Sequence, residues 1–289
     1  MRRLIIATLL LSSSYCYCQK GIAELAQEDY REYAKNIFIE SKYNDFQKPL
    51  KKGYITPEDL QIKRVGLLTF SLFEQDYKKD KALITYEYVK AGKSLIERIY
   101  DTSLPGIADS VRSYGITLIT PNEFDSDQKL FYKAALDEIK LIFRKKLDLY
   151  DRLAEMDLSN TPTGIGFAPV FLEDGNNEDI NVILGRLCEQ LQLDALLSIQ
   201  LTSNHFNYSI AFTNALMMIN IPSPSPGSKV YGQKLASYFY LTQAPVGFVG
   251  LDKGVVSGED LSGFPTLLGR MVGDFFNMIT IEQEMLVTN

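Results

Sequence analysis

A single histidine, His205, limits the acid–base chemistry that this sequence can offer. A Ser-His-Asp or Cys-His site uses an imidazole as its base, so any such site would have to use His205. That histidine stands in the polar segment 202–207, which predicts a turn, and the chain has no G-x-S-x-G nucleophile elbow. One histidine and three cysteines are also too few for a His-rich or Cys-rich zinc site. We therefore expect no catalytic role for His205.

Two partial motifs resemble pieces of known catalytic signatures. Residues 92–94, Gly-Lys-Ser, match the end of a phosphate-binding loop, but Glu87 stands where that loop needs a glycine. Ser126 and Lys129 match the S-x-x-K of penicillin-recognising enzymes, but the chain has neither the S-D-N nor the K-T-G partner. Both segments therefore predict helix starts, with Ser126 as a capping residue.

Acidic residues are the remaining candidates for metal binding or acid–base catalysis. The segment 173–179 holds four acids that could offer oxygens to Ca²⁺, but it lacks the EF-hand spacing. We interpret it as a solvated loop that caps the next helix. Two carboxylates suffice for glycoside hydrolysis, yet no feature selects a pair among the 36 acids. The sequence thus predicts no catalytic, metal-binding or cofactor-binding residue, and a secreted hydrolase using a carboxylate pair stays an alternative.

An adaptable apolar face is a further candidate site. Met217 and Met218 are adjacent, and Tyr238, Phe239 and Tyr240 are consecutive. Flexible methionines beside aromatic rings suit an apolar ligand. The same residues also fit two ordinary strands in which alternate side chains are buried, and we favour this interpretation over a binding face. A carrier of a small apolar ligand is therefore a second alternative.

The N-terminus has the three-part layout of a secretory signal peptide. Residues 2–11 hold two arginines and then an apolar run of eight, well short of the about 20 residues that span a bilayer. Cys16 and Cys18 place small residues at positions −3 and −1 of a cleavage site, so the predicted signal is 1–18. A lipid anchor at either cysteine is the alternative, which the preceding tyrosines disfavour. We expect export to the periplasm or the extracellular space, with membrane association as a variant of it.

Removal of the signal leaves Cys188 as the one cysteine, and its apolar neighbours predict a small buried side chain.

The charge and the apolar runs of the sequence narrow the class of partner. The net charge falls from −6 to −8 as two arginines leave, and no basic cluster predicts nucleic-acid binding. No second apolar stretch approaches 20 residues, so we expect no transmembrane segment.

The sequence predicts an N-terminal extension followed by one domain. Residues 19–61 form the extension, with a polar helix at 24–38 and a loop at 42–60 that contains prolines and glycine. No linker separates two cores after it, so residues 62–289 are predicted to form a single α/β domain.

Hydrophobic periodicity predicts the elements of that domain. Apolar or alternating runs predict strands at 62–73, 82–89, 116–119, 195–201, 206–221, 235–241 and 246–251. Amphipathic spacing predicts helices at 93–114, 125–156, 179–191 and 264–281. The first helix is expected to bend near Pro105 and Gly106 and to end at Gly115. Residues 159–177 and 222–227 predict loops.

The helix predicted at 125–156 is unusually long. Asp125 or Ser126 is its expected cap. Its apolar stripe is predicted to consist of Phe131, Ala135, Ile139, Ile142, Leu149 and Leu153. At 1.5 Å per residue it extends about 45 Å, more than a small core covers. We expect its far end to protrude or to meet a partner. The order β-α-β-α-α-β-β-β-α, which leaves out the strand candidates at 82–89 and 246–251, predicts a mixed sheet flanked by helices.

Three segments resemble the superfamily of the curli secretion lipoprotein CsgG, the lipoprotein LpoB and the amino-terminal domain of TolB. Residues 64–70 are similar to its first strand, which ends near an aromatic residue. Residues 107–119 resemble the family's helix that ends in glycine before a short strand. Residues 184–199 resemble its helix that leads into a strand beginning with alanine and aspartate, which here are Asp194 and Ala195. The resemblance extends over about residues 62–280. Ser198 stands near a position where the family usually has glycine.

The resemblance implies a role in envelope binding, scaffolding or ring assembly, and it brings no catalytic residues with it. Since no complete catalytic motif occurs either, we expect a non-enzymatic protein without a cofactor. Its expected partner is an envelope protein or a second copy of itself.

Overall fold

The computed structural model describes residues 62–74, 86–146, 159–163, 178–206, 209–222, 233–241, 247–252, 255–256 and 261–287. Several predicted features lie outside them: the signal at 1–18 with Cys16 and Cys18, the extension at 19–61, the end of the long helix at 147–156, and most of the two predicted loops, at 164–177 and 223–227.

Helices and strands alternate up to residue 206 of the described chain, and four further strands and a helix follow. The helices are α1 (Tyr86–Arg112), α2 (Ser126–Lys146), α3 (Glu178–Leu191) and α4 (Phe264–Val287). The strands are β1 (Arg64–Glu74), β2 (Thr117–Ile119), β3 (Ser159–Thr163), β4 (Ala195–Phe206), β5 (Ser209–Ile221), β6 (Gln233–Leu241), β7 (Gly247–Asp252) and β8 (Val255–Val256). None of these helices is both long and apolar enough to cross a membrane.

The strands form a mixed sheet in the order β2-β1-β4-β5-β7-β8. β1 is parallel to β2 on one side and to β4 on the other. β5 is antiparallel to β4, and its far edge pairs with β7 and with β6. β3 adds an antiparallel pairing to the carboxyl-terminal half of β1. The predicted α/β class, a mixed sheet flanked by helices, is confirmed.

Two helical layers cover the two faces of the sheet. α1 and α4 pack on one face, in a core that includes Leu67, Phe70 and Ile199. α2 and α3 pack on the other, around Leu68 and Leu196. Alternation places Leu67 and Leu68 against opposite layers, and a register shift between Leu67 and Thr69 lets Leu67 and Phe70, three residues apart, face the same layer.

The α1–α4 contact is close enough to require glycine. A Cβ at Gly106 would lie 2.8 Å from the carbonyl oxygen of Pro265, and one at Gly269 would lie 3.0 Å from that of Gly106. At Gly273, one turn further along α4, a Cβ would meet only Ser110 at 3.8 Å, an ordinary contact. The two helix backbones therefore touch at Gly106 and Gly269 and separate beyond them.

α1 begins earlier than predicted, and the strand predicted at 82–89 is wrong for residues 86–89. A short alternating run does not distinguish a strand from a helix, and here the helical spacing of Leu95, Ile96 and Ile99, all buried, continues the element. The helix runs through Pro105 without interruption.

The end of α1 is the predicted glycine stop. Gly115 has φ +72°, and its N–H donates to the carbonyl of Arg112 at 2.9 Å. The N–H of Ile116 donates to the carbonyl of Val111 at 3.4 Å, which completes a Schellman motif. Ile116 then leads into β2, and a single 3₁₀ turn at Pro121–Glu123 follows that strand.

Asp125, not Ser126, caps α2. The Asp125 carboxylate accepts from the N–H of Gln128 at 2.8 Å, while the Gln128 side chain accepts from the N–H of Asp125 at 3.1 Å. The predicted stripe is confirmed at Ala135 and Ile139 but is wrong at Phe131, which is exposed. Its register shifts because the hydroxyl-bearing Tyr132 turns inward beside Ala135 and hydrogen-bonds to the sheet, as described below.

Two predicted loops contain strand. The loop predicted at 159–177 is wrong at 159–163, since a Ser-Asn-Thr-Pro-Thr sequence forms β3 through its pairing with β1. The turn predicted at 202–207 is wrong at 202–206, because β4 continues to Phe206 and pairs with β5 along that length. Propensity missed both segments because long-range pairing decides them. The other predicted strands and helices occur with small shifts of their ends.

Candidate functional site

The candidates singled out by residue type lie apart from one another. His205 is within β4, residues 92–94 are inside α1, and Ser126 is the first residue of α2. Cys188 is fully buried on α3, and its thiol lies 3.9 Å from the carbonyl oxygen of Asn220. Burial, followed by the nearby charges of Glu189 and Asp194, raises the pKa of that thiol, so it stays protonated. The prediction that Cys188 is a small buried side chain is confirmed.

Metal ligands do not converge in the described part of the chain. There, no group of three His, Cys, Asp or Glu could hold a metal ion. The acidic segment predicted at 173–179 lies outside the described residues except at 178–179, where α3 begins. Every buried polar side chain among the described residues is a neutral hydroxyl or amide.

The Met–aromatic segments do meet across the sheet. β5 and β6 pair in antiparallel register, with Met217 opposite Tyr238 and Met218 opposite Ser237. Met217 is fully buried in the core beneath α1 and α4. This residue is therefore part of the packing, as alternation along a strand predicts.

One candidate site is a set of neutral polar side chains between β1 and β4, here called the polar seam: Thr69, Ser71, Ser198 and Gln200. All four are at most 1% exposed. The strand register pairs Thr69 with Ser198 and Ser71 with Gln200, so the four occupy two adjacent rungs of the parallel ladder.

Alternation places the polar seam on the α2–α3 face of the sheet. On β4, Leu197, Ile199 and Leu201 face α1 and α4, so the intervening Ser198 and Gln200 face the other layer. On β1, Phe70 and Leu72 face α1 and α4 in the same way, so Thr69 and Ser71 point with the other two. The seam therefore begins where the apolar contacts of Leu68 and Leu196 with α2 and α3 end.

One end of the polar seam is held by hydrogen bonds. The Thr69 hydroxyl donates to the carbonyl of Thr163 on β3 at 3.2 Å. The Tyr132 hydroxyl of α2 donates to the carbonyl of Leu68 at 2.6 Å and lies 3.3 Å from the Thr163 hydroxyl. Burial raises the pKa of Tyr132 to about 12, which keeps it a neutral donor.

The rest of the polar seam is not satisfied in this way. Within the described residues, the hydroxyls of Ser71 and Ser198 and both polar atoms of the Gln200 carboxamide have no hydrogen-bond partner. A buried polar group without a partner costs about 1–3 kcal/mol of stability. Four such atoms on two adjacent rungs are therefore expensive for a fold whose total stability is about 5–15 kcal/mol.

A second candidate site is on the outside of α2, and it is here called the outer stripe: Leu130, Ala134 and Leu141. Leu130 is 65% exposed and Leu141 is 53% exposed. The buried residues Tyr132, Ala135 and Ile139 lie on the opposite side of the helix, so α2 carries apolar residues on both sides.

α3 borders the outer stripe through one ion pair. Arg186 on α3 bonds to the Glu138 carboxylate on α2 at 2.7 Å, with both side chains about half exposed. At the start of α2, the Gln128 amide donates to the carbonyl of Leu191 at the end of α3, so the two helices run antiparallel. Val182, one turn before Arg186, is also exposed, which extends the apolar surface towards α3.

Sequence reasoning missed both sites, although each has a signal. The segments T-F-S in β1 and S-I-Q in β4 alternate polar and apolar residues inside runs, at 67–73 and 195–201, that are otherwise apolar. The outer stripe has helical spacing at 130, 134 and 141, which was hidden by the stronger stripe on the opposite side.

In comparisons with known proteins, no family model, no curated protein and no solved structure matches the chain. The resemblance to the CsgG, LpoB and TolB amino-terminal superfamily therefore rests on the order of elements and on the three segments described above.

Proposed function

We propose that this chain is an exported, non-enzymatic cell-envelope protein that acts as a protein-binding or scaffolding module, and that the outer stripe is its contact surface. The observation that carries the proposal is the exposure of Leu130 and Leu141 on the side of α2 opposite its buried face. The proposed export rests on the signal-like segment at 1–18, and the envelope location on the superfamily resemblance.

The spacing of the outer stripe suits a partner that lies along the helix. Leu130 and Leu141 are eleven residues apart, so about 16 Å of helix separates them along one line. Single exposed leucines are common on protein surfaces and need no explanation. Two on one line, with Ala134 between them, form the kind of apolar strip that an amphipathic helix or a groove contacts.

Charges around the outer stripe favour a different protein over a second copy. Asp137 interrupts the stripe, and one flank of it holds the exposed residues Lys129, Lys133 and Lys140. If the α2 helices of two molecules packed in parallel, Asp137 of one molecule would lie opposite Asp137 of the other. In an antiparallel pair, the lysine flanks would meet each other. Like charges placed opposite one another are repulsive, so the fitting partner is an apolar surface with an acidic rim and a cation for Asp137.

Site-directed photo-crosslinking in the native cells tests this proposal. The tagged chain carries p-benzoylphenylalanine either at position 141 or, as a control, at position 114, where the exposed Tyr114 lies two residues after the end of α1. We expect one dominant envelope protein to be linked from position 141 and not from position 114. Ala134→Glu should abolish that link, whereas Ala134→Ser should keep it.

Each other outcome contradicts the proposal in a defined way. Links only to copies of the same chain would replace the heterologous partner with a homo-oligomer. A link that survives Ala134→Glu, or that appears equally from position 114, would mean that the outer stripe is not the contact surface. Absence of any link above background from position 141 would overturn the binding role of α2.

A further inference from the structure

We propose that the polar seam is a binding site for a small uncharged molecule that presents hydrogen-bond donors and acceptors, such as an amide or a pair of neighbouring hydroxyls. This site is separate from the outer stripe, because the seam lies on the face of the sheet that α2 and α3 cover, whereas the stripe lies on the outside of α2.

Unpartnered polar atoms carry the proposal. Ser71, Ser198 and Gln200 are each at least 99% buried, yet their side-chain polar atoms have no partner among the described residues. The large majority of buried polar groups in native proteins are hydrogen-bonded, and an unpartnered one calls for an explanation such as a functional role, stored strain, or an ordered water or ion. Apolar residues of similar size would pack these positions without that cost, as they do on the opposite face of the same strands.

The position of the polar seam in the sheet is an independent argument. β1 is central: the chain leaves it through α1 to reach β2 on one side and returns through α2 and α3 to reach β4 on the other. The order of the strands therefore reverses between β1 and β4. Open α/β sheets bind ligands at such a reversal, in the crevice outside the carboxyl ends of the strands. The polar seam spans this junction, with Thr69 at the middle of β1, Ser71 just past it, and Ser198 and Gln200 in the amino-terminal half of β4.

The chemistry of the polar seam selects an uncharged ligand. All four of its side chains are neutral, and no buried residue in the described part of the chain is charged. An ion placed there would lose its hydration without gaining a counter-charge, which is far more costly than the burial of a neutral group. The Gln200 carboxamide offers donors and an acceptor in one plane, which matches a second amide, and the serine hydroxyls both donate and accept.

Crystals of the purified full chain, soaked with small probes, test the site. Acetamide and glycerol represent the amide and the neighbouring-hydroxyl sources of the proposed chemistry, and acetate is a charged molecule of the same shape as acetamide. We expect acetamide, glycerol or both to bind within hydrogen-bond distance of Ser198 and Gln200. Titration followed by NMR should give acetate an affinity at least about tenfold weaker, because burial of its charge is not compensated.

Variants separate a ligand site from ordinary packing. The double substitution Ser198→Ala with Gln200→Met should weaken binding of the neutral probe at least about tenfold. Without a probe, it should raise the Tm by about 3 °C, because it removes unpartnered buried groups. Ser103→Ala is the matched control: Ser103 is also fully buried and unpartnered within the described residues, but it lies on α1, in the opposite layer. This control should leave probe binding unchanged.

Three results would overturn the proposal. One is a crystal structure in which only ordered water occupies the polar seam in the presence of both neutral probes. Another is a Tm of the double variant below that of the unsubstituted protein, which would show that the polar atoms stabilise the fold by themselves. The third is equal binding of acetate and acetamide, or equal binding by the double variant, which would place the probe elsewhere.

Discussion

Along β4, alternate residues meet two layers of different character. Leu197, Ile199 and Leu201 point into the α1–α4 layer and take part in its apolar core. Ser198 and Gln200, between them, point towards α2 and α3 and leave hydrogen-bonding groups unpartnered within the described residues. Both sets are almost completely buried, so burial alone does not distinguish them.

The two helical layers also differ in how closely their helices pack and in what they expose. α1 and α4 approach so closely that glycine is required where their backbones meet. Among the described residues, α2 and α3 share a smaller core, and they carry a half-exposed ion pair and exposed leucines on the outer side of α2. The comparison indicates that one face of the sheet supplies most of the stability, while the other carries the polar and apolar surfaces that suit binding. The following predictions test this division.

The largest expected effect is in the α1–α4 layer, at Phe70. This ring is fully buried and packs edge-on against Tyr100, with ring centroids 5.4 Å apart. Phe70→Ala should lower the free energy of unfolding by about 4 kcal/mol, because the cavity removes apolar contacts that neighbours cannot restore. Phe70→Leu, which keeps most of the volume, is the control and should cost less than half as much. Urea denaturation followed by circular dichroism measures both.

The next effect is at the helix contact. Gly106→Ala should lower the free energy of unfolding by about 2 kcal/mol, since the new methyl group would meet a backbone carbonyl at 2.8 Å that cannot rotate away. Gly273→Ala adds the same methyl group where the nearest atom is 3.8 Å away, and it should be neutral or slightly stabilising. Equal Tm values for the two variants would contradict the close contact at Gly106.

A smaller effect is expected on the other face, at Tyr132. Tyr132→Phe removes the bond to the Leu68 carbonyl and should lower the free energy of unfolding by about 1 kcal/mol at neutral pH.

The same hydroxyl gives a pH dependence. Folding raises the pKa of Tyr132 from 10.0 to about 12, so the folded state favours the protonated form. Its contribution is fully present below the unfolded pKa of 10.0 and is lost as the pH rises through the folded value of about 12. Over that window the unsubstituted protein should lose stability more steeply than Tyr132→Phe. Parallel pH profiles in urea would contradict this role.

The smallest effect is at the surface of the α2–α3 layer. The Arg186–Glu138 pair is short, but both side chains are about half exposed, so water and salt screen it. Arg186→Ala should change the free energy of unfolding by less than about 1 kcal/mol, and added salt should reduce that difference. A double-mutant cycle with Glu138→Gln isolates the pair, and a coupling several times larger would show that this layer is more rigid than we infer.

The sequence by itself predicted the elements whose signals are local. The 3.6-residue period of α3 and the glycine after α1 needed no long-range information, because each depends on neighbouring residues only. The sign of the charge and the scarcity of histidine and cysteine likewise follow from composition. The signal at 1–18, the single domain and the superfamily resemblance stay predictions.

The tertiary structure decided what depends on partners distant in the chain. β3 is a strand because β1 offers it an edge, and α2 turns Tyr132 inward because its hydroxyl reaches the Leu68 carbonyl, 64 residues away in the chain. The polar seam exists only when the register aligns Thr69 with Ser198 and Ser71 with Gln200. A one-residue slip would turn these side chains to the opposite face. Periodicity shows that two strands alternate, but only their pairing shows which alternating residues meet.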